Sequence, residues 1–168
     1  GVDEIVLREL NIRNAGERDL SAWRAMLDRM RNPDDEVRIG LVGKYVEYED
    51  SYKSLKEALL HAGIHHRLKV RMSWIESEEL QWPSCPAALE HYDGILVPGG
   101  FGRRGVEGML QAIRYAREFR VPYFGICLGM QTAVIEFARN VAGLAGADST
   151  EFEPATPHPV IYKLRDLL

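Results

Sequence analysis

Gly-Ile-Cys-Leu-Gly-Met-Gln, residues Gly125 to Gln131, most restricts how this chain can fold. It follows the apolar run Val121 to Ile126 and leads into helical spacing, so Cys127 stands on a sharp strand-to-helix turn. Glycine two residues before (Gly125) and two after (Gly129) suits such a turn, because a Cβ at either place would crowd the backbone as it reverses. Cys127 is thereby expected to project out of the fold. The same geometry aims the first N–H groups of the following helix at the sulfur, favouring thiolate over thiol. It also puts the Leu128 N–H where a carbonyl oxygen would gather charge after attack. The competing reading is a small apolar residue packed at a strand end; the paired glycines count against it. Alone, the turn implies acyl or thioester chemistry and names no substrate.

The chain around this turn alternates strands and helices. Val37 to Val42 reads as a buried strand, followed by Gly43-Lys44-Tyr45 and a charged loop from Glu47 to Asp50. Tyr52, Leu55, Leu59 and Ala62 share a helical face that Asp50 or Ser51 can cap and Gly63 can stop. Val70 to Ile75 alternates as a strand, and Gly94 to Val97 is a short apolar one ending in Pro98-Gly99-Gly100. Val106, Met109, Leu110, Ile113 and Ala116 form the stripe of the next helix. Met130, Ala133, Val134, Phe137, Ala138 and Val141 mark the helix after Cys127, which Gly143 can end. This order predicts a parallel sheet covered on both faces, with catalytic loops beyond the carboxyl ends of its strands. Residues 1–36 differ: Leu20, Trp23, Met26, Leu27 and Met30 recur at helical spacing, with Asp19 or Ser21 as N-cap and Asn32-Pro33 as stop. Such a helix serves equally as a connector between domains or as a surface helix of this one. The expected boundary separates residues 1–36 from a domain over 37–168.

The 168 residues, 46% hydrophobic and 27% charged, suit one domain with an appended piece. A net charge of −4 gives no basic surplus for nucleic acid or an anionic membrane, so neither partner is expected. No apolar run approaches the ~20 residues of a membrane span, and Gly1-Val2-Asp3-Glu4 is no signal peptide; a cytoplasmic location is expected. The two cysteines, Cys85 and Cys127, fit a reducing compartment, and no Cys or His cluster has metal-ligand spacing.

The glycine-rich loop Pro98 to Gly105 should open at the same sheet edge as Cys127. Its expected task is a second oxyanion donor, the Gly100 N–H; a phosphate cradle is the rival, weakened by the lack of a Lys-Ser or Lys-Thr. Glu151 could hold the α-amino group of an amino-acid substrate, or be a solvated loop charge. Gln131, on the first helical turn, could bond a polar substrate end, or simply keep the helix soluble. A thiolate nucleophile normally works with a histidine and an orienting carboxylate. None of His61, His65, His66, His91 and His158 is convincingly placed.

Gly-Ile-Cys-Leu-Gly-Met-Gln together with Pro-Gly-Gly-Phe-Gly resembles the class I (triad) glutamine amidotransferases. Adding Leu41 to Tyr45, Asp50 to Ser54, Arg104-Gly105-Val106-Glu107-Gly108 and Asn140 to Phe152, the chain is similar from about Val37 onward to the glutaminase domain of the CTP synthase family. The resemblance implies a flavodoxin-like parallel-sheet α/β fold, incomplete over this length, after an N-terminal helical linker. It makes Cys127 the nucleophile that attacks the glutamine side-chain amide. It assigns Gly100, Leu128, Gly129, Met130, Gln131 and Glu151 to the oxyanion site and glutamine, and Phe101, Gly102, Arg104 and Gly105 to a mobile lid tied to activation by GTP. It implies an amidoligase domain of the same chain, where ATP and magnesium serve amination of UTP to CTP, and a homotetramer. No cofactor or metal is expected within these residues. The family's His-Pro-Glu motif is not matched by His158-Pro159-Val160, so residues 1–168 alone are expected to hydrolyse glutamine poorly. Rival expectations are another cysteine hydrolase of the same fold, or a binding or assembly module without turnover.

Overall fold

The computed structural model describes residues 1–12, 19–44 and 52–163. Tyr45, Glu47 to Asp50 and the proposed caps Asp50 and Ser51 lie outside them. Two helices come first, α1 (Val2–Glu9) and α2 (Ser21–Arg31). Then follow β1 (Asp35–Gly43), α3 (Lys53–His66), β2 (Leu68–Glu76), a single 3-10 turn over Ser77–Glu79, α4 (Cys85–Leu89), β3 (Gly94–Val97), α5 (Val106–Phe119), β4 (Tyr123–Gly125), α6 (Leu128–Asn140), β5 (Ala147–Ser149) and β6 (His158–Ile161).

Four strands form a parallel sheet in the order β2-β1-β3-β4. This is the flavodoxin-like arrangement, in which the connection from β2 to β3 passes over β1, so that the strand order reverses between β1 and β3, and ligands sit beyond the carboxyl ends of the strands. Gly-Ile-Leu-Val of β3 is buried throughout, as a central strand must be. The edge strand β2 instead alternates half-buried and exposed residues, because only one of its faces is covered. The core gathers Val42, Ile95, Val97, Val106, Met109, Leu110, Ile113, Leu128 and Ile135 between the sheet and helices α5 and α6. All five stripe residues expected on α5 are buried.

Several expectations need correction. α3 runs past Gly63 to His66 and stops at Arg67, which takes the left-handed conformation at φ 57°. Gly63 is an interior glycine because a Cβ there would lie 2.6 Å from Val70 Cγ2 and 2.7 Å from the Leu68 carbonyl oxygen. Ala62 is exposed, whereas Tyr52 is buried. On α6 the buried set is Leu128, Gly129, Thr132, Ile135, Glu136 and Ala138; Met130, Val134, Phe137 and Val141 face outward. The helix itself is as expected; it is apolar on two sides, and of the residues that mark it only Ala133 and Ala138 pack inward. The sheet is fully covered on one face only. Tyr123 packs toward α6, its hydroxyl donating to the Gly129 carbonyl, so the alternation of β4 turns Phe124 outward, 61% exposed.

In the N-terminal segment the N-cap of α2 is Leu20, not Asp19 or Ser21; Asp19, one residue ahead of it, accepts a hydrogen bond from the Ser21 N–H at 2.8 Å. The apolar stripe of α2 stays largely exposed; Trp23 and Met26 face His61, Ile64 and His65 of α3 across an open groove. α1 was not legible from spacing. Among the described residues no helix is long and apolar enough to cross a membrane.

Cys85 and Cys127 are both free thiols, the first buried and the second exposed. Burial pushes the Cys85 thiol up to about 11. In the unfolded chain a thiol ionises from about pH 8.5. Stability from the neutral buried thiol is therefore complete below that pH and lost as pH rises toward 11. We expect the free energy of unfolding to fall by roughly 2 kcal/mol over this window through Cys85. Urea titrations at pH 8 and 11 check this, with the loss reduced in Cys85→Ala; Tyr123, whose phenol is also pushed up by burial, accounts for a residue of it above pH 10.

Candidate active site

Three loops meet at the carboxyl edge of the sheet: the end of β1 at Lys44, the segment Pro98 to Gly105 after β3, and Ile126-Cys127 after β4. Cys127 adopts φ 52°, ψ −104°, outside the regions ordinary residues favour, and is exposed. Strain of this kind costs on the order of 1–3 kcal/mol and persists only where the surroundings over-determine it. The surroundings here are the two flanking glycines. A Cβ on Gly125 would stand 2.5 Å from the Gly129 carbonyl carbon, and one on Gly129 only 2.1 Å from the Val97 carbonyl oxygen. The turn closes because both are missing. Ile126 N–H donates to the Val97 carbonyl at 3.0 Å, tying the turn to β3. The helix α6 then begins directly at Leu128, its first free N–H groups beside the cysteine.

The glycine-rich loop lies against this turn. A Cβ on Gly99 would touch Cys127 Cβ at 3.6 Å, and one on Gly100 would meet Leu128 Cδ2 at 3.1 Å and Lys44 Cε at 3.2 Å. Gly99 therefore lies against Cys127, and Gly100 against Leu128, the residue after it. The next residues are held from below and from the side. Lys44, 3% exposed, donates from Nζ to the carbonyls of Phe101 (2.6 Å) and Gly102 (2.7 Å). Burial, then the nearby Arg104 cation, lowers the Lys44 pKa, against the pull of Glu151 and Glu78. Glu151 accepts from the Gly102 N–H at 2.9 Å. Arg104 donates to Glu78 at 2.9 Å and to the Lys44 carbonyl, and Arg103 donates to the Phe152 carbonyl at 3.2 Å. Gly102 and Gly105 both have positive φ, 74° and 72°, and Phe101 is 79% exposed.

Glu151 reaches the loop through a small two-stranded sheet, β5 with β6. Arg139 of α6 anchors β5 by donating to the Ala147 carbonyl at 2.6 Å and to Asp148 at 2.9 Å. The turn after β5 is fixed where the Thr150 N–H meets the Ile161 carbonyl and the Glu151 N–H meets Ser149 Oγ. Elbow helix and carboxylate are thus parts of one framework. Gln131 is half-buried on the first turn of α6, its N–H on the Cys127 carbonyl, and Met130 is exposed beside it.

The histidines divide by topology. His61, His65 and His66 occupy the C-terminal turns of α3, just before β2, and His91 precedes β3. In a parallel sheet those positions are at the amino edge, opposite Cys127. His158 opens β6. The residue that sequence reasoning missed is Lys44. Its one signal was a lysine directly after an apolar strand, in Leu41-Val42-Gly43-Lys44.

Residues 47–160 match the family model described as glutamine amidotransferase class-I. The chain is 65% identical to the CTP synthase of Acidobacterium capsulatum over 167 residues, which is 99% of this chain and 30% of that one. It is 58% identical to the CTP synthase of Carboxydothermus hydrogenoformans over 161 residues, again 30% of that protein. A solved structure described as the Trypanosoma brucei CTPS glutaminase domain with bound acivicin superposes with a TM-score of 0.69 at 43% identity, covering 75% of this chain and 49% of that one. The chain thus spans less than a third of the length of the curated relatives it matches. With an exposed elbow cysteine, an adjoining glycine loop and a family match over most of its length, the chain belongs to the class-I glutamine amidotransferase family.

Proposed function

We propose that this chain is the glutaminase part of a glutamine-dependent CTP synthase. The observation that carries the reading is the strained, exposed Cys127 with the Gly99-Gly100 backbone packed against its turn. The thiolate sulfur attacks the side-chain amide carbon of glutamine, and the carbonyl π electrons move onto oxygen. The Leu128 and Gly100 N–H groups hold that oxyanion. As it collapses, the carbon–nitrogen bond breaks and the nitrogen takes a proton, leaving as ammonia. Water then adds to the glutamyl thioester, and glutamate departs while the sulfur is released. Glu151 receives the substrate's α-ammonium group, and Gln131 and Met130 line the approach. The proton carrier is none of His61, His65, His66 and His91, which are at the far edge of the sheet.

The rest of the reading concerns the longer protein. Its amidoligase domain would use ATP and magnesium to aminate UTP, with the Phe101 to Gly105 lid responding to GTP, in a cytoplasmic homotetramer. Among the described residues no group of three or more His, Cys, Asp or Glu is placed to hold a metal.

A glutamine analogue with an electrophilic carbon in place of the amide carbon tests the reading, and so does acivicin, the ligand of the trypanosomal structure. Intact mass of the native-length protein should show one added group, absent in Cys127→Ala and suppressed by glutamine. In Glu151→Gln the analogue concentration for half-maximal rate should rise about tenfold to a hundredfold, the worth of one charged hydrogen bond. Labelling at Cys85, or none, overturns the assignment.

A further inference from the structure

The peptide joining Phe101 to Gly102 is gripped at both poles. Its carbonyl oxygen accepts from the Lys44 ammonium at 2.6 Å, and its N–H donates to Glu151 Oε1 at 2.9 Å. Carbonyl and N–H of a trans peptide point in opposite directions, so a cation on one side and an anion on the other define which way that plane faces. The ammonium also takes the next carbonyl, that of Gly102, at 2.7 Å. Successive carbonyls of an extended chain point to opposite sides. Two converging on one cation therefore require a kink, which Gly102 supplies at φ 74°. The lysine stem completes the seat, its Cε within 3.2 Å of where a Gly100 Cβ would be.

A buried ammonium is costly unless its protons are satisfied. This one spends two of its three N–H bonds on the loop that carries Gly100, with the carboxylate on the loop's far side. We propose that Lys44 is a positioning residue for glutamine hydrolysis: by locking the Phe101–Gly102 peptide against Glu151 it sets the orientation of the backbone that contributes the Gly100 N–H. The inference rests on the glutaminase reading above and adds to it a residue that touches neither substrate nor sulfur. It also gives Glu151 two tasks, holding the loop and receiving the substrate's ammonium group. When the substrate takes its share of that carboxylate, Lys44 remains to keep the loop in register.

The test compares two reagents on Cys127 in the native-length protein. Iodoacetamide reports thiol access and reactivity, while the glutamine analogue also needs the oxyanion site. In Lys44→Met, which keeps the stem and removes the charge, the analogue should react about a hundredfold more slowly at saturation, comparable to losing an oxyanion donor. Its half-saturating concentration should shift less than about threefold, and iodoacetamide less than about twofold. In Lys44→Ala, added propylammonium should restore at least about a tenth of the lost rate, because the free amine can occupy the seat that the side chain vacates. Analogue reactivity in Lys44→Met equal to the native protein overturns the inference alone. So does a parallel fall in both reagents with no amine rescue. A native protein alkylated by iodoacetamide yet inert to the analogue overturns the glutaminase reading, and the inference with it.

Discussion

Replacing Cys127 with alanine in the native-length protein should lower glutamine-dependent turnover by about five to six orders of magnitude, the loss seen when the nucleophile of a triad enzyme is removed. Amination supplied with ammonium chloride should persist, because on the proposed reading the cysteine serves only to release ammonia. Stability should barely change in this variant, since alanine bears the same Cβ and meets the same strain at φ 52°. Cys127→Gly, equally inactive, should be more stable by about 1 kcal/mol, because glycine adopts positive φ without cost. Thermal melts of the two variants, alongside ammonia release from glutamine, check both statements. A glycine variant no more stable than the alanine variant would show that the elbow holds no strain.

Gly108→Ala should be the most destabilising single methyl addition in the chain. The new Cβ would lie 1.6 Å from the Ser77 carbonyl oxygen and 2.6 Å from its carbon, both backbone atoms. Ser77 is itself completely buried, so nothing there can rotate aside, and α5 must move off the turn following β2. Alanine is the better helix former by nearly 1 kcal/mol, but overpacking against fixed backbone should outweigh that several times, for a net loss of about 3–4 kcal/mol. At about 2–4 °C per kcal/mol for a chain of this size, the melting temperature should fall by roughly 10 °C. A variant melting within about 2 °C of the parent contradicts this packing.

These two positions also show what a reader of the sequence could reach. The elbow was legible because Gly-x-Cys-x-Gly between an apolar run and a helix has few solutions, and its glycines proved to be packed on backbone as the turn demands. The order of strands and helices was legible for the same reason: Gly94 to Val97 and the α5 stripe allow one period each. Gly108 was visible only as a letter in a familiar motif; its steric cause lies 31 residues away at Ser77, beyond any local pattern. Which face of α6 turns inward was not legible, because Met130, Val134, Phe137 and Val141 are as regularly spaced as the residues that face inward. The role of Lys44 was hidden because it depends on carbonyls 57 and 58 positions later in the chain. Glu136, 1% exposed, would have read as a solvent residue; it is buried because Arg117 meets it with two nitrogens and Asn140 with a third donor.

That last pairing has a mechanical consequence. Arg117 on α5 and Glu136 on α6 weld the two helices together, and Glu107–Arg139–Asp148 adds a second weld nearer the loops. α5 starts one residue after Gly105, and α6 one residue after Cys127. The starts of both helices, and Cys127 with them, are therefore tied to one framework, whereas the loop ahead of Gly105 is held by side-chain bonds from Lys44, Glu151, Arg103 and Arg104. On the proposed reading, a change in that loop would reshape the roof over the sulfur and leave the sulfur where it is.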